Sequence, residues 1–118
     1  MLIDTRAFGF ELTDALLRHA EARVGAALGP AGDVARTTVR LDDVNGQNHG
    51  GPDKRCRIVA ALRRHGRTVT VEATHADLYT AIDQAAHRAR EATRRDGKRD
   101  LALARRPHHR AGRTPVPA

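Results

Sequence analysis

The sequence predicts an α+β domain in which two helices pack on one face of a four-stranded sheet, in the order strand, helix, strand, strand, strand, helix. Three observations predict it. Apolar residues alternate with polar ones in four short segments, they recur at helical spacing in two longer ones, and every segment is apolar on one side only. A single helical layer should therefore cover one face of the sheet and leave the face bearing arginine and threonine in water.

Residues 2–8 read as the first strand. Thr13 and Asp14 then supply an N-cap and a first-turn acid for a helix whose apolar stripe is Leu16, Ala20, Val24, Ala27 and Leu28. Gly29-Pro30 and Gly32 stop that helix. Segment 34–41 alternates, with Val39 and Leu41 on one face and Arg36, Thr38 and Arg40 on the other. A long connection over 42–53 carries turn signals at Asn45-Gly46 and Gly50-Gly51. Segment 55–63 alternates again, with Cys56, Ile58, Ala60 and Leu62 opposing Arg55, Arg57, Val59 and Arg63. His65-Gly66 marks a tight hairpin, and 67–73 returns with Val69, Val71 and Ala73 inward. The capping-box pattern from Thr74 to Asp77 opens a second helix with the stripe Leu78, Ile82, Ala85, Ala86 and Ala89. The pattern ends at Gly97. Residues 1–96 thus form one domain, and 97–118 read as a basic, disordered tail with room for a short helical extension at 101–103.

The core this permits is thin. Leu, Ile, Val and Phe make up 23 of 118 residues, and 21 alanines supply much of the remaining apolar content, which predicts marginal stability. No apolar run is long enough to cross a bilayer, and Met1-Leu2-Ile3 meets Asp4 too early for a secretory signal, so a cytoplasmic chain is expected. The single cysteine, Cys56, can build neither an internal disulfide nor a zinc ribbon.

Charge gives the functional direction. The chain has 21 Lys+Arg against 14 Asp+Glu, a formal net charge of +7, and the excess is confined to the second half: residues 1–53 carry a net −3 and residues 54–118 a net +10. A polyphosphate partner explains such a spread over strands, helix and tail better than a small acidic metabolite does. Helix two changes character along its length, since Arg88, Arg90, Arg94 and Arg95, then Lys98 and Arg99, follow an ordinary amphipathic start. Arg90 and Arg94 are like charges at i,i+4, a local cost that an anionic partner relieves. With Arg36, Arg40, Arg55, Arg57 and Arg63 on the exposed strand face, these residues are the candidate RNA contacts. Phe8, Phe10 and Tyr79 are too few and too scattered for base stacking, which leaves salt-sensitive phosphate and shape contacts to a large folded RNA.

Catalytic and metal readings are weak. Asp42, Asp43, Asn45, His49 and Asp53 share one connection, but Leu41 and Pro52 occupy the first and last ligand positions of a calcium loop. Cys56 alternates with Ile58 and Ala60 and reads as a buried small hydrophobe. The seven histidines, 19, 49, 65, 75, 87, 108 and 109, form no ligand grouping and read as solvated residues. No enzyme activity, metal, cofactor or small-molecule substrate is expected.

Residues 10–16 (Phe-Glu-Leu-Thr-Asp-Ala-Leu) and 72–83 (Glu-Ala-Thr-His-Ala-Asp-Leu-Tyr-Thr-Ala-Ile-Asp) resemble the ribosome hibernation-promoting factor and ribosome-associated inhibitor family of bacteria. Segments 39–46 and 50–57 look like a proteobacterial branch of it, and the resemblance spans about residues 2–96. It implies a non-enzymatic protein that binds the small ribosomal subunit and its rRNA in the channel used by mRNA and tRNA, silencing or storing ribosomes under stress or in stationary phase. The family's basic residues on the second helix fall on Arg88, Arg94 and Arg95, with Lys98 close to a further one. Glu91 stands where the family often has a basic residue, Thr93 where leucine is usual, and Phe8 where strand one often ends on a basic residue. Because only about 20 residues follow the domain, the long form's dimerisation domain is not expected. A monomer is favoured, with an exposed edge strand as a means of pairing two copies. The alternative is a protein-interaction module that keeps the fold but docks a protein partner with little dependence on salt.

Overall fold

A computed structural model describes residues 1–44, 53–64 and 66–105, the last eight as backbone only. The elements are β1 (Leu2–Phe8), α1 (Asp14–Leu28), a single 3-10 turn (Gly29–Ala31), β2 (Val34–Asp43), β3 (Lys54–Leu62), β4 (Thr68–His75) and α2 (Leu78–Arg105). The sheet order is β1-β2-β3-β4, with β1 parallel to β2 and the other neighbours antiparallel. This is the predicted β-α-β-β-β-α fold. The turns expected at Asn45-Gly46 and Gly50-Gly51 lie outside the described residues, as does His65 of the β3–β4 hairpin. Gly66 of that hairpin has a φ of +61°, which glycine adopts without strain.

Strand alternation sets the two faces. Val39, Leu41, Cys56, Ile58, Ala60 and Ala73 point to the helical side and are fully or almost fully buried, with Ile3, Ala7, Val69 and Val71 packed at the margins. Thr37, also buried on that side, donates its hydroxyl to Met1 Sδ at 3.2 Å. From above, α1 contributes Leu16, Ala20, Val24 and Leu28, and α2 contributes Ala81, Ile82, Ala85, Ala86 and Ala89. A methyl group buries little area, so the alanines of α2 stabilise mainly by letting the helix approach β3 and β4 closely, while Leu28, Leu41, Ile58 and Ile82 are the largest fully buried side chains.

Several local features differ from the sequence reading. β2 runs two residues further than expected, to Asp43, because both Asp42 and Asp43 find cationic partners across the ladder on β3. Arg63 is not a sheet residue: β3 ends at Leu62, and Arg63 lies in the bend, its backbone N–H donating to Asp33 O at 2.7 Å and its Nε to Gly32 O at 3.2 Å. Thr74 does not cap α2. It sits in β4 opposite Arg55, and the N-cap is Asp77, whose carboxylate accepts from Tyr79 N–H at 3.2 Å and from the Thr80 hydroxyl at 2.9 Å. The tail expected from Gly97 is helical as far as Arg105, so 101–103 lie inside α2, and 106–118 lie outside the described residues. Gly97 costs a helix about 1 kcal/mol relative to alanine, which the good helix formers from Lys98 to Arg105 offset.

Two histidines are structural rather than solvated. His19 Nε2 lies 2.8 Å from Asp83 Oδ1 and its ring meets Tyr79 edge-on at 4.9 Å, so that with Arg23 Nε donating to Asp83 Oδ1 at 3.0 Å it clasps α1 to α2. His75 Nδ1 accepts from Asp77 N–H at 2.9 Å and steadies the cap.

The capping assignment separates two substitutions. Asp77→Ala should lower the unfolding free energy by about 1 kcal/mol, the usual cost of losing a carboxylate N-cap, whereas Thr74→Ala should stay within about 0.5 kcal/mol, as exposed positions usually do. Urea titrations followed by circular dichroism would distinguish them.

Candidate nucleic-acid interface

The candidate cations occupy two surfaces, and they differ in how far the protein neutralises them. The first is the open face of the sheet. Register aligns Arg6, Arg40, Arg57 and Glu72 in one row across the four strands and Phe8, Asp42, Arg55 and Thr74 in the next. Arg55 binds Asp42 with both ends of its fork, Nε to Oδ1 at 2.9 Å and Nη2 to Oδ2 at 2.7 Å. Arg40 donates to the same carboxylate at 3.4 Å and stacks 4.1 Å from the centre of the Phe8 ring. Arg57 pairs with Glu72 at 3.2 Å, and Arg6 with Asp4 at 3.2 Å. Arg36 is on this face and, among the described residues, makes no ion pair.

Bidentate pairs of this kind are directional and strong for their exposure. Asp42 is only 7% exposed beneath its two arginines. The Arg55 hydrogen bonds hold its carboxyl below the usual 3.8, with Arg40 adding to the effect against the opposing cost of burial. At the end of the same ladder, Lys54 Nζ bonds Asp53 at 3.1 Å and Asp43 at 3.2 Å, and those bonds raise its pKa. A phosphate recruiting Arg55 would strip the buried Asp42 of its bidentate partner and leave it only the longer Arg40 contact, so the sheet arginines form a pre-neutralised lattice more than a set of free anion sites.

The second surface is α2. Arg88, Arg90, Arg94 and Arg95 are all exposed, and the helical repeat divides them between two flanks. Arg88 and Arg95, one heptad apart, lie on the β4 flank, where Arg88 Nη1 donates to Glu72 O at 2.5 Å. Arg90 and Arg94 lie on the α1 flank. There the close helix pair leaves a groove with a floor of Ala26, Ala27 and Ala86, bordered by Arg23, His87, Arg90 and Arg94. Arg94 has a long contact to Glu91 at 3.5 Å, and Arg90 and Arg95 pair with no carboxylate among the described residues. The side chains of Lys98 and Arg99 lie outside the described ones, although their backbone continues the same helix.

Thr93 is buried beside this groove. Its hydroxyl donates back to the carbonyls of Ala89 and Arg90 at 3.0 and 2.9 Å, so a polar group enters the core side without an unsatisfied hydrogen. Arg23 and His87 were not among the sequence candidates. Their juxtaposition with Arg90 depends on how α1 crosses α2, and the only local signal for it is that Arg23 is followed at helical spacing by the small residues Ala26 and Ala27.

The remaining candidates from sequence have structural roles. Cys56 is fully buried and burial pushes its thiol up to about 12, which keeps it protonated and unreactive. Asp42, Asp43 and Asp53 hold Arg55, Arg40 and Lys54 as described.

The lowered pKa of Asp42 fixes the sign of a pH effect. A carboxyl with a depressed folded pKa contributes stability that is present above its unfolded value of 3.8 and is lost as pH falls through the lower folded value. Asp42→Asn should therefore destabilise clearly at pH 7, and the gap to the parent protein should close progressively as the pH falls below 3.8. Chemical denaturation of the two proteins across that range checks it; a constant gap would mean the ion pair contributes nothing.

With this geometry, comparison with known proteins is specific. Residues 3–99 match the family model described as Sigma 54 modulation protein / S30EA ribosomal protein. Among solved structures, the N-terminal domain of Thermus thermophilus Protein Y is similar, with a TM-score of 0.66 and 27% sequence identity over 80% of this chain and 98% of that one. A ribosomal subunit interface protein from Coxiella burnetii has the same fold, with a TM-score of 0.66 over 82% of this chain and 99% of that one at 16% identity. The search of curated proteins gives no match. The resemblance carried by residues 10–16 and 72–83 holds at the level of family, and the chain belongs to the Sigma 54 modulation protein / S30EA ribosomal protein family.

Proposed function

We propose that this protein associates with the ribosome in the cytoplasm, binds the small subunit through its rRNA, and silences or stores ribosomes under stress or in stationary phase. It acts by binding, without catalysis. The observation that carries the reading is the solvent side of α2: on a helix anchored by Ile82 and its alanines, Arg90, Arg94 and Arg95 project with little or no internal neutralisation, in a chain of the S30EA family. A rigid helix presenting cations at fixed spacing suits a phosphate backbone, whose contacts position a protein without reading bases. The scarcity of aromatics argues for the same mode: of the two exposed ones, Phe8 is already covered by Arg40 and Tyr79 meets His19, which leaves no paired platform for stacking single-stranded bases.

The two surfaces are unequal in this reading. Arg90, Arg94 and Arg95 carry the phosphate contacts, with Lys98 and Arg99 continuing them along the helix. Arg36, the unpaired cation of the sheet, and Arg40, Arg55 and Arg57 contribute a weaker field because Asp42 and Glu72 offset part of their charge. Arg88 divides its donors between the β4 carbonyl and the ligand. Arg63, in the β3–β4 bend, contributes only to the general positive potential.

The test is co-sedimentation with purified small ribosomal subunits through a sucrose cushion at about 0.1 M and about 0.5 M salt, a range over which phosphate-dominated binding collapses. The parent protein should pellet at low salt and be released at high salt. Reversing Arg90, Arg94 and Arg95 together to Glu should abolish pelleting while circular dichroism stays unchanged, whereas Arg57→Gln should reduce it only a few-fold; each single Arg→Gln change on α2 should lower the log–log salt slope by about 1. Pelleting by the triple variant would overturn the site. A complex insensitive to salt would instead favour docking to a protein.

A further inference from the structure

The two edges of the sheet are treated differently. On the outer edge of β4, the Arg88 guanidinium reaches over from α2 and occupies the Glu72 carbonyl, a contact that competes with any strand approaching from that side. β1, the other edge, has a regular register over all seven residues, with no bulge, proline or lysine to discourage a neighbour. Its open-face side chains include Leu2 and Phe8, which are 65% and 43% exposed.

We propose that β1 is a self-complementary pairing edge, through which two copies of this chain form a weak dimer with an antiparallel β1–β1 contact centred on Thr5. The order of side chains selects both partner and register. With the two-fold axis at Thr5, Leu2 faces Phe8 of the second copy, Ile3 faces its Ala7, and Asp4 faces its Arg6, each pairing occurring twice by symmetry. Apolar thus meets apolar and acid meets base on the open face. Asp4 and Arg6, already 3.2 Å apart within one chain, become a square of alternating charges.

The neighbouring registers fail. Moving the axis to Asp4 or to Arg6 sets that residue against its own copy, a like-charge pair in either case. Odd-numbered slips turn the core side of one strand to the open side of the other. Parallel pairing in register again sets Asp4 beside Asp4 and Arg6 beside Arg6. A second feature lies on the axis itself: Thr5 Oγ1 is buried and has no hydrogen-bond partner, and rotation about χ1 gives it one in Thr5 of the second copy. A contact of seven residues is small, so the dimer should be reversible and depend on concentration.

Sedimentation-velocity ultracentrifugation of the full chain from about 1 µM to about 1 mM, a window suited to weak association, tests this directly. The parent protein should shift from monomer to dimer within that range. Arg6→Asp, which opposes two acids across each half of the interface, should weaken the dimer about tenfold or more. Asp4→Arg should do the same with two bases, and the charge-swapped Asp4→Arg/Arg6→Asp protein should regain the dimer. Both substitutions are on exposed side chains, and thermal unfolding would verify that each variant folds. A protein that stays monomeric throughout, a dimer that survives Arg6→Asp, or a swap that fails to restore pairing would each overturn the proposal.

Discussion

The close seat of α2 on the sheet governs most of what this molecule can do. The core is poor in large apolar side chains, so the helix must lie near the strands for its contacts to count. Ala81, Ala85 and Ala89 make that possible, with Ile82 as the largest fully buried side chain of α2 among the described residues and Leu78 packed at the margin. An alanine face is narrow. It leaves the rest of the helix circumference in water, and there the sequence places His87, Arg88, Arg90, Arg94 and Arg95. The economy of the core and the cationic surface are thus two sides of one helix.

Helix-to-helix packing follows from the same smallness. Ala26 and Ala27 on α1 oppose Ala86 on α2, and the clasp among His19, Arg23, Asp83 and Tyr79 fixes the pair at one end. Towards the other end the angle between the helices is lined, among the described residues, by Ala26, Ala27, Pro30, Ala86 and Thr93, and a groove opens with arginine on its borders. Thr93 lines that space without an energetic fault, because its hydroxyl is satisfied by the backbone of its own helix.

Acidic residues are distributed so that the two basic surfaces behave differently. Across the sheet, Asp4, Asp42 and Glu72 lie within reach of Arg6, Arg40, Arg55 and Arg57, and the charges form a lattice that stiffens the open face. Along the second half of α2, Glu91 is the only carboxylate in contact with these arginines among the described residues, and it reaches Arg94 at the long limit of an ion pair. Net charge alone therefore overstates the sheet as an anion site and understates the helix. Arg88 shows the same principle for a single residue: its charge counts towards the basic surface while one of its donors is committed to the edge of β4.

Local periodicity was enough to determine the fold, because a strand that buries one face and a helix that buries one stripe each write their period into a short stretch of chain. The order of elements along the chain, the one-sided core and the buried nature of Cys56 all follow from it, and the residues at 10–16 and 72–83 carry the family, whereas the parallel pairing of β1 with β2 is read only from the structure. What local pattern could not determine depends on contacts between distant residues. The N-cap passed from Thr74 to Asp77 because β4 gains two more ladder positions against β3. Arg63 left the sheet because its backbone is bound by Asp33, and α2 passed through Gly97 because the residues beyond it favour a helix more than one glycine opposes it. The arginines were all visible as arginines, but whether each is free or already paired is decided by strand register and helix crossing. Those bring Asp42 to Arg55 and Glu72 to Arg57 across a strand connection, and Arg23 towards Arg90 from the other end of the domain, where the sequence by itself carries no distance.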